Sequence, residues 1–76
     1  MEALVEYLGK SLVSHPDDVS VSLKESDRGD VHELSVNSDD LGQVIGRQGR
    51  TARAIRAVSR AAGSREGIRV QVEIVE

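Results

Sequence analysis

The sequence contains no cysteine, phenylalanine or tryptophan, and only one tyrosine and one proline. Without cysteine, the chain can form neither disulfide bonds nor thiolate metal sites. Tyr7, the single aromatic residue, is remote in sequence from the basic segment described below, so stacking platforms for nucleic-acid bases are absent. We expect Tyr7 to contribute to packing. No apolar run approaches the roughly 20 residues that are needed to cross a bilayer.

The first residues also differ from a signal peptide, because Glu2 and Glu6 are acidic where a positive segment is expected. We therefore expect a soluble cytoplasmic protein with no membrane partner. The 76 residues predict a single small domain, residues 1–76, with a modest core. A content of 38% hydrophobic and 30% charged residues is typical of a folded chain.

Charge is distributed unevenly along the sequence. The formal net charge of −3 at pH 7 argues by itself against a nucleic-acid partner. From Leu41 to Arg65, however, there are six arginines and no acidic residue. This segment carries +6 and leaves −9 on the rest of the chain, a segregation that a localised anion-binding surface requires.

Hydrophobic periodicity predicts the element order α-β-β-α-α-β and therefore the α+β class. The expected elements are a helix over 2–13, strands near 19–24 and 32–36 joined by a turn at 27–30, a short helix ending at 45, a long helix over about 50–62 and a strand over 68–74. Pro16 ends the first helix. Gly63 is expected to cap the long helix.

The long helix is predicted to have two different faces. At about 100° per residue, four arginines fall within an arc of roughly 120°: Arg50, Arg53, Arg56 and Arg60. The residues on the other side are predicted to pack on the sheet: Thr51, Ile55, Val58 and Ala62. An arginine stripe is often only a solvated surface. Here the acidic residues that would pair with it along the helix are missing, which favours an anionic ligand.

Two glycines three residues apart, Gly46 and Gly49, precede this helix. Glycine lets the backbone come close to a phosphate without obstruction by a Cβ atom, and a helix N-terminus offers free N–H groups to an anion. Arg47 and Arg50 add positive charge. Taken alone, this spacing more often marks an ordinary turn between two helices than a binding loop.

The stretch 44–50, Val-Ile-Gly-Arg-Gln-Gly-Arg, followed by Ile55, resembles the signature of the KH domain. In that family a G-x-x-G loop joins two helices and clamps the backbone of about four nucleotides, and an apolar groove receives the bases. The predicted element order is similar to the type II arrangement, which implies a three-stranded mixed sheet with the helices packed on one face. The stretches 12–19 and 42–56 are similar to the small single-KH bacterial RNA-binding proteins of the KhpA family.

This resemblance implies an RNA chaperone or post-transcriptional regulator that clamps single-stranded RNA. Gly46 and Gly49 would shape the loop, and Arg47 and Gln48 would face the phosphates. Apolar surface would come from Val44, Ile45 and Ile55. The helical geometry adds Arg50 and Arg53 to these RNA-binding residues. Ala52 stands where KH domains often have a large aliphatic residue, which implies a shallow base groove and weak sequence selectivity.

The resemblance also implies self-association, or pairing with a larger KH-containing protein of the Jag or EloR family that is linked to control of cell elongation and division. The alternative function is therefore an interaction or dimerisation module that mainly scaffolds such a partner. Three small residues on one flank of the long helix would let another helix approach closely: Ala54, Ala57 and Ala61.

We expect no enzymatic activity, and we predict no catalytic residue, metal or cofactor. His15 is predicted to lie in a loop and His32 on a half-buried strand, and no catalytic triad or metal-ligand spacing is present. Asp39 and Asp40 are predicted to cap a helix. The segment 46–50 lacks the G-K-[ST] ending of a nucleotide-binding P-loop.

Overall fold

In the computed structural model, which describes residues 1–76, one three-stranded sheet is covered by helices on one face. The elements are α1 (Glu2–Leu12), β1 (Ser20–Ser26), β2 (Gly29–Ser35), α2 (Leu41–Ile45), α3 (Arg50–Arg65) and β3 (Val70–Val75). Short 3-10 turns occur at Pro16–Asp18, Ser38–Asp40 and Arg47–Gly49. The predicted α-β-β-α-α-β order and α+β class are confirmed. No helix has the length and apolar character needed to span a membrane.

β2 is the central strand of a mixed sheet, as the resemblance implied. It runs antiparallel to β1 and parallel to β3, so Leu34 has Val21 opposite it on one side and Ile74 on the other. β1 and β3 are the two edge strands. Gly29 begins β2 with a φ of +118°, which confirms that the hairpin turn uses glycine for positive φ.

The core lies between the sheet and the helices, and its hydrophobic residues are all aliphatic. Every helix and the strands β2 and β3 contribute to it, together with the residue before β1 and the residue after β2: Val5, Val19, Leu34, Val36, Val44, Ile55, Val70 and Val72. Along β2 the buried residues alternate with less buried ones, because successive side chains of a strand point to opposite faces. The helix-free face of the sheet is correspondingly polar.

α3 meets the sheet through a face that is rotated from the predicted one, although Ile55 is buried as predicted and Thr51 and Ala62 are half-buried. Its buried residues are Ala52, Ile55, Ser59 and Gly63, whereas Val58 is 47% exposed. The prediction followed the aliphatic residues, but the helix lies too close to β3 for large side chains. A Cβ atom on Gly63 would lie 2.9 Å from the carbonyl oxygen of Ile68, so Gly63 permits close packing.

The end of α3 also differs from the prediction that Gly63 caps it. The helix continues to Arg65, and Gly67 then adopts a φ of +73°. The N–H of Gly67 donates to the carbonyl of Ser64 (3.1 Å), and the N–H of Ile68 donates to that of Gly63 (2.8 Å). This is the Schellman arrangement, in which the left-handed residue follows the helix, so Gly67 is the residue that terminates α3.

α1 packs on the sheet through Val5 and Gly9, both of which are buried. A Cβ atom on Gly9 would lie 2.8 Å from Cδ1 of Leu34, which shows how close the helix comes to β2. Tyr7 is 67% exposed. The expectation that Tyr7 contributes to packing is therefore wrong. Tyr7 follows the buried Val5 by two positions, which places its side chain about 200° around the helix from that of Val5.

Asp40 does not cap α2, contrary to the prediction. Its carboxylate is buried and accepts hydrogen bonds from the N–H groups of Ser14 (3.1 Å) and His15 (3.0 Å) and from Nδ1 of His15 (2.9 Å). Instead, Asn37 accepts the N–H of Asp39 at 2.8 Å and caps the turn before α2. Asp40 thus ties the start of α2 to the connection between α1 and β1.

Two buried polar atoms have no hydrogen-bond partner within the protein, Nδ1 of His32 and Oγ of Ser59. His32 is 1% exposed in the centre of the sheet, and is thus more deeply buried than predicted. Ser59 is fully buried where α3 faces the sheet. A buried hydroxyl without a partner loses its hydration and gains nothing in return.

Replacing Ser59 with alanine should therefore stabilise the protein by about 1 kcal/mol, with a further contribution from helix propensity. Urea unfolding followed by circular dichroism measures the change. Ser64→Ala, at an exposed position of the same helix, controls for propensity alone. A Ser59→Ala variant less stable than the wild type would show that the hydroxyl makes a stabilising contact and would contradict the prediction.

The contact between Asp40 and His15 makes the free energy of unfolding depend on pH. The hydrogen bond to Asp40, and then its negative charge, raise the pKa of His15 above its usual 6.5. Burial raises the pKa of Asp40, but the hydrogen bonds from the His15 side chain and two backbone N–H groups outweigh it and lower that pKa below its usual 3.8. Both groups are therefore charged at pH values between the lowered pKa of Asp40 and the raised pKa of His15.

The stability difference between the wild type and His15→Ala should be largest between about pH 4 and pH 6.5. Above this window the histidine contribution is lost as pH rises through its raised pKa, and below it the aspartate contribution is lost as pH falls through its lowered pKa. Urea unfolding across pH 3–9 measures the difference. Ser14→Ala, which keeps the backbone N–H, is the control, and a pH-independent difference for His15→Ala would contradict the prediction.

Candidate nucleic-acid interface

The turn between α2 and α3 is built from left-handed backbone. Gly46 follows α2 with φ +76° and ψ 173°, and Gln48 and Gly49 have φ values of +56° and +74°. Gln48 is the only non-glycine residue with positive φ, a conformation that costs roughly 1–2 kcal/mol for an L-residue. Backbone strain of this kind clusters at binding and catalytic sites.

The two glycines of this turn serve different purposes. A Cβ atom on Gly46 would lie 2.7 Å from Cβ and 2.8 Å from the backbone nitrogen of Thr51, so a side chain there would force the loop away from α3. A Cβ atom on Gly49 would meet only Nη1 of Arg53, at 3.9 Å. Gly46 therefore closes the turn, and Gly49 leaves bare backbone that a ligand can approach.

The first turn of α3 lies directly beside this bare backbone. It has neither a side-chain cap nor an acidic residue, so the positive end of the helix dipole is not compensated within the protein. Arg47 and Gln48 on the loop, and Arg50 and Arg53 on the helix, are all exposed. The positive end of the helix dipole and three guanidinium groups together form an environment that favours an anion.

The arginines of this segment have no acidic partners within the protein. The salt bridges of the protein involve Lys10, His15 and Lys24, and none of the six arginines between 47 and 65. This confirms the prediction that the stripe on α3 is unpaired. Like charges along one helix face repel one another and raise the local potential for an anion.

A groove lies beside α3. The resemblance implied a groove for the bases, but the residues that line it were not predicted from the sequence. It has a volume of about 240 Å³, lies between α3 and the edge strand β3, and is lined by Arg56, Arg60, Val70, Gln71, Val72 and Glu73. Nε of Arg56 donates to the carbonyl of Val72 at 3.1 Å. Sequence reasoning included Arg56 and Arg60 in the stripe but missed them as site residues, because only the fold shows that β3 lies beside them.

The three apolar residues predicted to contact RNA lie in different environments. Val44 is fully buried and Ile55 is 3% exposed, so both belong to the core beneath the loop and offer no surface in the free protein. Ile45, beside Gly46, is 39% exposed. Ile45 is therefore the apolar residue of this set that contributes surface next to the loop.

The helix-free face of the sheet has the opposite character. Glu33 on β2 and Glu73 on β3 are neighbours in register, and Lys24 offsets one of these charges through a contact of 2.9 Å with Glu33. No group of three or more histidine or acidic side chains is placed to hold a metal ion. The six arginines of residues 47–65 thus lie on α3 and the loop before it, whereas the helix-free face carries Glu33 and Glu73 against Lys24 and is weakly acidic.

The sequence is similar to those of bacterial proteins named RNA-binding protein KhpA. The protein from Halalkalibacterium halodurans is 49% identical over 77 residues, with both chains covered in full. The protein from Streptomyces coelicolor is 50% identical, with all of this chain and 95% of that protein covered. The protein from Listeria monocytogenes is 43% identical over the full length of both chains.

Among solved structures, the fold is similar to part of Era from Aquifex aeolicus, crystallised with GDP·AlF4−. The TM-score is 0.65 at 20% identity, over 97% of this chain and 29% of the Era chain, so this similarity concerns the fold alone. A sequence model of the family described as "KhpA/KhpB, KH domain" matches residues 2–74. Because that match spans nearly the whole chain, the protein belongs to the KhpA/KhpB family of KH domains.

Proposed function

We propose that the protein binds single-stranded RNA in the cytoplasm by clamping the backbone with the loop Gly46–Gly49, and that it acts as an RNA chaperone or post-transcriptional regulator. The observation that carries this proposal is the left-handed loop placed directly before the uncapped, acid-free start of α3. The name of the relatives, RNA-binding protein KhpA, supports RNA as the ligand.

The clamp would work mainly through phosphate contacts. A phosphate can approach the bare backbone at Gly49, where the side chains of Arg47 and Gln48 are exposed beside it. Arg50 and Arg53 would neutralise neighbouring phosphates along α3. Contacts of this kind fix the position of a strand but carry no information about its sequence.

The bases would lie toward the groove between α3 and β3. Ile45 offers apolar surface near the loop, and the carbonyl of Val72 offers an acceptor that Arg56 occupies in the free protein. Ala52 is 4% exposed and lies in the interface with the sheet, so it adds no wall to the groove. With no aromatic residue available for stacking, we propose that sequence selectivity is weak.

The acidic sheet face supports one orientation of approach. Glu33 lies on the face opposite the helices, where it would repel a polyanion, while the arginines of α3 attract it. Charge separation of this kind steers association and suppresses binding at the wrong surface. A net charge of −3 is therefore compatible with RNA binding on the helix side.

We propose protein association through the outer flank of α3 as a second function. Ala54, Ala57, Val58 and Ala61 are all exposed there, and small side chains allow another helix to come close. A domain of 76 residues also gains stability from association. We propose that a homodimer, or a pair with a larger KH-containing protein of the Jag or EloR family linked to cell elongation and division, uses this flank.

The loop is tested by the double substitution Arg47→Asp and Gln48→Asp, which keeps both glycines. We expect RNA binding to be lost, because two negative charges would face the phosphates. The wild type should bind an unstructured, 5′-phosphorylated RNA tetramer with a slope of log K against log salt of about −3, if its four phosphates are contacted at roughly −0.7 each. Fluorescence anisotropy at several salt concentrations measures both quantities.

The matched control is Arg65→Asp with Ser11→Asp, which changes the charge equally at exposed positions away from the loop. Circular dichroism and sedimentation should show an unchanged fold and an unchanged mass for the loop variant. RNA affinity equal to that of the control would exclude the loop as the clamp. A collapse of dimer mass in the loop variant would instead place the loop in a protein interface.

A further inference from the structure

A second cavity continues the groove beyond the residues assigned to the loop clamp. It has a volume of about 430 Å³ and is lined by Arg60, Ser64, Gly67, Ile68, Arg69 and Val70. Arg60 and Val70 also line the 240 Å³ groove, so the two spaces are contiguous. We call this cavity the distal basin, since it lies where α3 ends and β3 begins.

The chemistry of the distal basin matches a phosphodiester. Two guanidinium groups line it, from Arg60 and Arg69, and no carboxylate does. Neither arginine takes part in a salt bridge. The exposed hydroxyl of Ser64 adds a donor, and a Cβ atom on Gly67 would meet nothing within 4 Å. Guanidinium forks, a hydroxyl and accessible backbone are the groups that proteins present to phosphate oxygens.

Arg69 is held at the edge of this basin by the turn between β1 and β2. Its carbonyl accepts the N–H of Asp30 at 2.8 Å. A Cβ atom on Gly29 would lie 2.8 Å from Cβ and 3.0 Å from Cγ of Arg69, so the stem of Arg69 occupies space that only glycine leaves free. An arginine whose stem is packed in this way loses less side-chain entropy when its guanidinium binds.

A third cavity adjoins the distal basin. This space of about 580 Å³ shares Gly67, Ile68 and Arg69 with the distal basin. Its lining also includes three acidic residues, Glu25, Asp27 and Asp30, against the two arginines Arg28 and Arg69. A phosphate that is attracted into the distal basin would be repelled beyond it. The acidic turn therefore sets a boundary for a bound strand.

We infer that the distal basin is a second backbone-binding subsite, for nucleotides beyond the roughly four that a KH loop clamps. Ser64 lies about 21 Å along α3 from Arg50, at 1.5 Å per residue, so a strand must follow the whole helix to occupy both sites. The inference rests on the proposed RNA binding. It predicts that the bound RNA covers more than four nucleotides and that its path on the protein ends at the turn between β1 and β2, which carries Glu25, Asp27 and Asp30.

The test compares Arg69→Ala with Arg65→Ala, which removes the same charge from an exposed residue that lines none of the three cavities. Oligouridylates of four and eight nucleotides are titrated by fluorescence anisotropy at several salt concentrations. For the octamer, Arg69→Ala should weaken binding about two- to fivefold and make the salt slope shallower by about 0.7. Arg65→Ala should change neither quantity, and the tetramer should bind both variants like the wild type.

Arg69→Lys keeps the charge and should retain the wild-type slope for the octamer. Equal effects of Arg69→Ala and Arg65→Ala on the octamer would overturn the subsite. The same loss for tetramer and octamer in Arg69→Ala would also overturn it, because Arg69 would then act on the loop clamp or on the fold. A wild type that binds neither oligomer would remove the proposed function itself, so the two failures are distinguishable.

Discussion

The backbone at Gly46 lies so close to Thr51 that no side chain fits between the loop and the first turn of α3, and the geometry of the site depends on this contact. Beneath it, Val44 and Ile55 are buried in the core on either side of the turn. The strained conformation of Gln48 is thus held by packed residues. A loop fixed in advance loses little conformational freedom when it binds a ligand.

The buried carboxylate of Asp40 extends this constraint to the rest of the fold. It holds the backbone at Ser14 and His15, and α2 begins at the next residue, Leu41. The short helix that leads into the loop is therefore anchored to the connection between α1 and β1. Charge then determines the side from which an anion approaches the loop. Arginines without acidic partners continue along α3, while Glu33 and Glu73 lie on the helix-free face of the sheet.

Much of this fold was predictable because its signals are local. Alternation along β3 and the helical spacing in α1 each need only a few neighbouring residues, and Gly46 and Gly49 indicated a turn with unusual backbone. The buried face of α3 was predicted only in part: Ile55 was included, but Ser59 and Gly63 carry no hydrophobic signal, although their small size is what allows the helix to approach the sheet.

Features that depend on distant contacts could not be predicted. Asp40 looked like a helix cap, since its partner His15 lies 25 residues away in the sequence. The groove and the distal basin require β3 to lie parallel to β2 and beside α3, which is a property of the topology. Arg69 in particular appears in the sequence only as an exposed strand residue, and its position over Gly29 becomes visible only in the fold.

The most direct test of the central claim is a titration of the 15N-labelled protein with an RNA tetramer, followed through its backbone amide chemical shifts. We predict that the largest changes occur over residues 46–50, with smaller ones along α3 toward the groove. Glu33 on the sheet face and Tyr7 on α1 should not respond. Changes concentrated on the sheet face or on α1, with the loop unaffected, would contradict binding by the clamp.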